Sequence, residues 1–142
     1  MKWLRKKERM KLYAYVLMPN HLHAVIKPVG ATIGALLRDF GSFTAHQILK
    51  QLREEERFDL LEFFQEQKWD SRHKHSIWQD IQAKNIYSAD FLRQKVEYIH
   101  NNPVSNRWSL VSERADYRYS SACYYDHDIG PIVEVDDIRE WL

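Results

Sequence analysis

LYAYVLMPNHLHAVI, residues 12–26, decides the fold. Leu12 to Met18 is rich in β-branched and aromatic residues, as strands are. Pro19-Asn20 follows, and a proline fixes φ for the first central position of a type I turn. His21 to Ile26 is a second such run, ended by Pro28 and Gly30. The pattern predicts a β-hairpin. Side chains alternate along a strand, so His21 and His23 share one face. Leu22, Ala24 and Ile26 share the other, which fits a core. Two imidazoles ~7 Å apart along a strand can converge on one metal ion. A His-x-His pair is also ordinary surface decoration, and the hairpin alone does not choose between the two. A second pair, His73-Lys74-His75, lies in a charged connection without apolar alternation and reads as surface.

Working outward, Thr32 can cap a helix through Leu52, with Ile33, Leu36, Leu37, Phe40, Phe43 and Ile48 at helical spacing. Gly41 weakens it by ~1 kcal/mol relative to Ala. Glu54 to Glu56 reads as a solvated loop. Asp59 to Gln67 predicts a short helix, Lys68 to Lys74 a polar connection, and His75 to Asp80 a strand. Ser88 can cap a helix from Ala89 to Asn101, stopped by Pro103. Short, irregular, aromatic segments follow. Strand, strand, helix, helix, strand, helix predicts an α+β domain with helices on one face of an antiparallel sheet. On the last helix Leu92, Val96 and Ile99 are spaced for burial. Tyr98 and Asn102, four apart, lie on one face. From spacing alone Tyr98 is as readily a packed amphipathic residue as a reactive one, and Asn101-Asn102 as readily a helix stop.

Composition bounds the function. The chain has 142 residues, 44% of them hydrophobic and 29% charged, which suits one domain, residues 1–142, with a real core. The sequence has no apolar run of the ~18 residues a membrane span needs, so no membrane partner is expected. The basic start, MKWLRKKERMK, lacks the apolar stretch of a signal peptide. Cys123 is the one cysteine, which excludes an internal disulfide and thiolate zinc sites and suits a reducing cytoplasm. The net charge of +1 conceals an asymmetry. Residues 1–50 carry nine Lys and Arg against Glu8 and Asp39, while the rest of the chain carries 12 basic and 18 acidic side chains. A basic half points to a polyanion partner, or equally to a solvated basic arm. No phosphate-binding glycine loop or nucleophile elbow occurs.

Longer stretches resemble one family. YAYVLMPNHLHAVIKP (13–28) resembles the MPNHxH signature of the single-tyrosine HUH transposases, and KVEYIHNNPV (95–104) resembles the segment bearing their catalytic tyrosine. LLRDFGSFTAHQI (36–48), SIWQ (76–79) and DYRYSSACYY (116–125) are similar to the family's intervening helix, next strand and C-terminal segment. The branch they resemble most is that of the REP-associated tyrosine transposases. The resemblance implies a ferredoxin-like antiparallel sheet. It implies that His21, His23 and Asn102 bind one Mg²⁺ or Mn²⁺, which polarises a scissile phosphate. It implies that Tyr98 attacks that phosphate in single-stranded DNA beside a hairpin. A 5′-phosphotyrosine and a free 3′-hydroxyl result. Phenols ionise near pH 10, so phenolate is a tolerable leaving group and the step reverses without ATP. Lys27, Arg38 and the basic N-terminus could contact hairpin phosphates, and Trp108 could stack on a base. A homodimer and a nucleoid-associated place in the cytoplasm are further implications.

Family members carry another strand and helix ahead of the hairpin, and the 11 residues before Leu12 are too few for both. Gly41 stands where this branch has Lys. The alternative expectation is therefore a truncated or domesticated relative that binds hairpin nucleic acid without cleaving it.

Overall fold

The structure, a computed structural model, describes residues 1, 9–66 and 77–141. The basic run at 2–8, the His73–His75 pair, the 68–74 connection and the first residues of the expected 75–80 strand lie outside the described residues. The chain divides into two compact units, one of Met1–Ala31 with Asn85–Leu142 and one of Thr32–Lys84.

The first unit is built on the hairpin. Strands β1 (Met10–Leu17) and β2 (Leu22–Pro28) pair antiparallel, with Val16 opposite His23 and Ala14 opposite Val25. Pro19-Asn20 forms the tip, and the Met18 N–H donates to the His21 carbonyl at 2.8 Å. A bulge between Leu12 and Ala14 shifts the register. Gly30, at φ +62°, turns the chain away after β2, a conformation glycine adopts without steric cost.

β1 is buried from Leu12 to Val16, and both of its edges have partners. Beyond β2, its other edge takes the segment around Ser120. The Leu17 N–H donates to the Tyr119 carbonyl (2.8 Å) and the Ser121 N–H to the Tyr15 carbonyl (3.0 Å). Further along, Leu12 and Asp136 exchange two hydrogen bonds of 2.8 and 2.7 Å. Pairing of this kind leaves no open edge on β1.

The long helix of this unit, Ala89–Asn101, begins where Ser88 accepts a hydrogen bond from the Phe91 N–H at 3.2 Å. Those are the bounds the sequence predicts. Val96 and Ile99 pack with Ala14, Val16, Met18 and Val25 in the core, and Leu92 packs against its margin. The core therefore lies on the face that carries His23. This corrects the expectation that the opposite face, Leu22, Ala24 and Ile26, would be the buried one; those three are half-buried. The reason is the helix, whose apolar stripe covers the Val16–Val25 side of the hairpin. A six-residue helix, Ala122–His127, stands where only irregular structure is expected.

The second unit contains a helix Ile33–Glu54, capped by Thr32 Oγ1 on the Ala35 N–H at 3.2 Å, and a helix Phe58–Glu66. Among the described residues the four α-helices are, in chain order, α1 (Ile33–Glu54), α2 (Phe58–Glu66), α3 (Ala89–Asn101) and α4 (Ala122–His127). Residues 77–80, expected as part of a strand, are irregular. Trp78 instead anchors this segment to α1: its Nε1–H donates to Thr44 Oγ1 at 2.8 Å and its ring lies 5.7 Å from Phe40. The indole N–H of Trp78 is thereby satisfied by a side chain. Among the described residues the fold is thus α+β with a two-stranded antiparallel sheet. No helix among them is long and apolar enough to cross a membrane.

Candidate functional site

His21 and His23 come together at the tip of the hairpin. Their rings are 4.8 Å apart and inclined at 72°. His21 Nδ1 lies 2.6 Å from Asn20 Oδ1. An amide oxygen only accepts, so in the neutral ring the proton is on Nδ1 and the lone pair on Nε2. His23 is held below the ordinary histidine pKa, first by burial and then by the neighbouring His21 and Lys95. At neutral pH it is an uncharged imidazole, the form that can bind a metal.

α3 brings Tyr98 to this pair. Its ring lies 5.5 Å from that of His23, at 67°. Val96 and Ile99 fix the helix on the sheet, and Tyr98, one position before Ile99, is turned out of the core and 55% exposed. The exposure answers the question spacing left open, since Tyr98 does not fill the core. One turn on, Asn102 is 8% exposed, and its Nδ2–H donates to the Tyr98 carbonyl at 2.8 Å. The amide nitrogen therefore holds the helix end, and the amide oxygen is its acceptor end.

Three further side chains complete the cluster. Trp108 lies 5.7 Å from His21, half-buried against the core, and the Arg107 guanidinium lies 5.6 Å over the indole. Lys95 sits 5.7 Å over the Tyr98 ring. Lys95 was open to the sequence reading, because it precedes Tyr98 by three residues and shares its helix face. Arg107 had no such signal, since its place depends on the turn that follows Pro103. Asn20 was passed over as a turn residue.

Lys27 is at the far end of β2, four residues beyond His23, and is exposed. Arg38 is on α1 in the second unit, exposed, with its Nε 3.7 Å from Asp39. Among the described residues no group of three His, Cys, Asp or Glu stands close enough to hold a metal.

A second polar cluster lies beneath the site. His100, 1% exposed, has Nε2 2.9 Å from Ser121 Oγ. The same Oγ accepts the Tyr15 N–H at 2.9 Å. His100 Nδ1 is buried without a hydrogen-bond partner among the described residues. A lone pair costs less to orphan than an N–H, so the proton belongs on Nε2, donated to Ser121. Burial, followed by the charge of Arg114, lowers the His100 pKa to about 4.

No family model matches the chain, and neither a curated protein nor a solved structure does. The site's meaning rests on its own chemistry and on the motifs that compose it.

Proposed function

We propose that this chain cleaves and rejoins single-stranded DNA beside hairpins through Tyr98, in the manner of the single-tyrosine HUH transposases its motifs resemble. One observation carries the reading: Tyr98, 75 residues beyond His23 in the chain, stands exposed with its ring 5.5 Å from His23, and His23 in turn is 4.8 Å from His21. Neither hairpin nor helix needs this meeting in order to fold.

The donors suit one Mg²⁺ or Mn²⁺. Both imidazoles offer nitrogen lone pairs, one through the Asn20 contact and one through its lowered pKa. Asn102 would add an amide oxygen. Once bound, such an ion would supply Lewis-acid polarisation of the scissile phosphate.

The protein's own part follows. Tyr98 Oη attacks the phosphorus and the bond to the 3′-oxygen breaks. The phenolic proton passes by way of solvent to that oxygen. A 5′-phosphotyrosine and a 3′-hydroxyl result, and attack by the 3′-hydroxyl of another strand expels the phenolate. One phosphodiester is exchanged for another, so no ATP is consumed. Lys95 and Arg107 supply positive charge for the DNA backbone, and Trp108 a ring for a base. Lys27 and Arg38 would contact hairpin phosphates.

A second reading is binding of hairpin nucleic acid without cleavage.

The test incubates protein, Mn²⁺ and single-stranded oligonucleotides drawn from hairpins flanking the gene, and looks for an adduct that survives SDS. An adduct lost in both Tyr98→Phe and His23→Ala supports cleavage. Retained hairpin binding with no adduct selects the second reading.

A further inference from the structure

The tip of the hairpin sets Asn20 directly ahead of His21, with its amide oxygen 2.6 Å from His21 Nδ1. We propose that Asn20 is a positioning residue for metal binding. By accepting the Nδ1–H of His21, it holds that ring in the tautomer whose Nε2 has the lone pair for a divalent cation. The inference rests on reading His21 and His23 as a metal pair, and it does not need the chain to cleave DNA.

The backbone is the first argument. Adjacent side chains in a strand point to opposite faces, so neighbours do not meet there. Asn20 and His21 meet because both precede β2, which starts at Leu22. A proline ring fixes φ at about −65°, and here Pro19 leads the tip. The Met18 N–H closes the turn on the His21 carbonyl at 2.8 Å. With the backbone fixed on both sides, bringing amide to ring costs little further conformational freedom.

The choice of partner is the second argument. An asparagine in a turn commonly bonds the backbone two residues on, in an Asx-turn. Among the described residues the Asn20 side chain bonds the His21 ring instead. Asn20 is exposed, so it contributes through this bond and not through burial.

The third argument is chemical. In water a neutral histidine prefers its proton on Nε2, which removes that lone pair. An acceptor on Nδ1 reverses the preference. Metal-binding histidines are oriented by such an acceptor on the other nitrogen, and its loss costs about 10- to 100-fold in metal affinity. An amide oxygen does this without adding negative charge beside a phosphate. The two imidazoles are then oriented differently. His21 is set by a hydrogen bond, and by Trp108 at 5.7 Å. His23 is set by ring packing, at 4.8 Å from His21 and 5.5 Å from Tyr98.

The test reads tautomer and metal separately. Long-range ¹H–¹⁵N correlation spectra of the metal-free, ¹⁵N-labelled full chain report which nitrogen of each ring is protonated. They are taken at pH 8, where an ordinary histidine is neutral. His21→Gln assigns the signals. The proposal expects His21 protonated at Nδ1 in the wild-type chain, and a shift towards Nε2 in Asn20→Ala. Mn²⁺ titration followed by electron paramagnetic resonance should show at least about tenfold weaker binding in Asn20→Ala. Asn20→Asp keeps an acceptor oxygen in the same place. It should retain the Nδ1–H form and bind Mn²⁺ no more weakly than the wild type. Both variants should keep the wild-type circular dichroism, since the residue is exposed. The wild-type tautomer decides the matter even if they do not. His21 protonated at Nε2 in the wild type overturns the proposal, and so does an Asn20→Asp chain that fails to hold the Nδ1–H form. A wild-type chain that binds no Mn²⁺ overturns the metal reading and this inference with it. Wild-type Mn²⁺ binding that Asn20→Ala leaves unchanged defeats this inference alone.

Discussion

Tyr98 and His100 are two residues apart on one helix and serve opposite ends. On the Tyr98 side Tyr98 is exposed, the two histidines and Trp108 are half-buried, and their rings meet at 4.8 to 5.7 Å. On the His100 side they are buried and spent on structure, since Ser121 Oγ holds both His100 and the backbone of β1. The lesson is that a polar cluster announces function by what folding leaves unused. Both sides contain histidine and hydroxyl groups, and only the first directs them outward.

The sharpest break in the comparison is Tyr98→Phe. It removes an oxygen that the core does not use, so the melting temperature should stay within about 1 °C, as for most exposed substitutions. Adduct formation should fall at least ~10³-fold, because the proposed nucleophile itself is gone. Calorimetry beside the adduct assay checks both halves, and a large drop in stability would mean that Tyr98 belongs with His100.

pH tests the buried side. The folded state holds His100 at about 4, against 6.5 for an ordinary histidine. Above pH 6.5 neither state binds the proton and stability is complete. As pH falls from 6.5 to 4 the unfolded chain gains a proton that the folded chain refuses, and stability declines. The difference corresponds to about 3 kcal/mol, reached near pH 4. Urea unfolding at pH 7.5, 6, 5 and 4 should show this decline, and His100→Gln should flatten it. An equally steep decline in the variant would place the titration elsewhere.

Ser121→Ala comes next. It leaves the Tyr15 N–H and His100 Nε2 buried without their acceptor, which costs about 2 kcal/mol. The expectation is a lower urea midpoint with the m-value unchanged. A change under ~0.5 kcal/mol would show that water replaces the hydroxyl.

The hairpin and α3 were legible because each is written locally. Pro19-Asn20 between two β-type runs, and Ser88 with Pro103 around an apolar stripe, need no tertiary information. The α+β class follows from them. The two histidines and Tyr98 were legible as motifs, but their meeting is a tertiary fact that no spacing states. The buried face of the hairpin was misread because alternation shows that two faces differ, and α3 determines which one is covered. His100 carried a usable signal, since it follows Val96 by four residues and extends the buried stripe, though a histidine in that place reads as polar. Trp78 could not be foreseen as an anchor, because Thr44 on another element satisfies its indole.

The smallest expected effect concerns Lys95, which lowers the pKa of His23 while sitting over Tyr98. Its ammonium also lies 4.9 Å over the Phe91 ring, so part of its contact is within the helix. Such exposed cation–ring contacts are worth about 0.5–1 kcal/mol. Lys95→Gln should therefore change stability little. Its effect on DNA should be electrostatic: one phosphate fewer neutralised lowers the slope of log affinity against log salt by about 0.7 for a single strand. Fluorescence anisotropy with a labelled oligonucleotide, from 50 to 300 mM salt and without metal, reads that slope directly. An unchanged slope would take Lys95 off the DNA path and leave it as a helix contact. A slope reduced as expected, with stability intact, would put this residue on the Tyr98 side, where polar groups serve a ligand that the fold does not need.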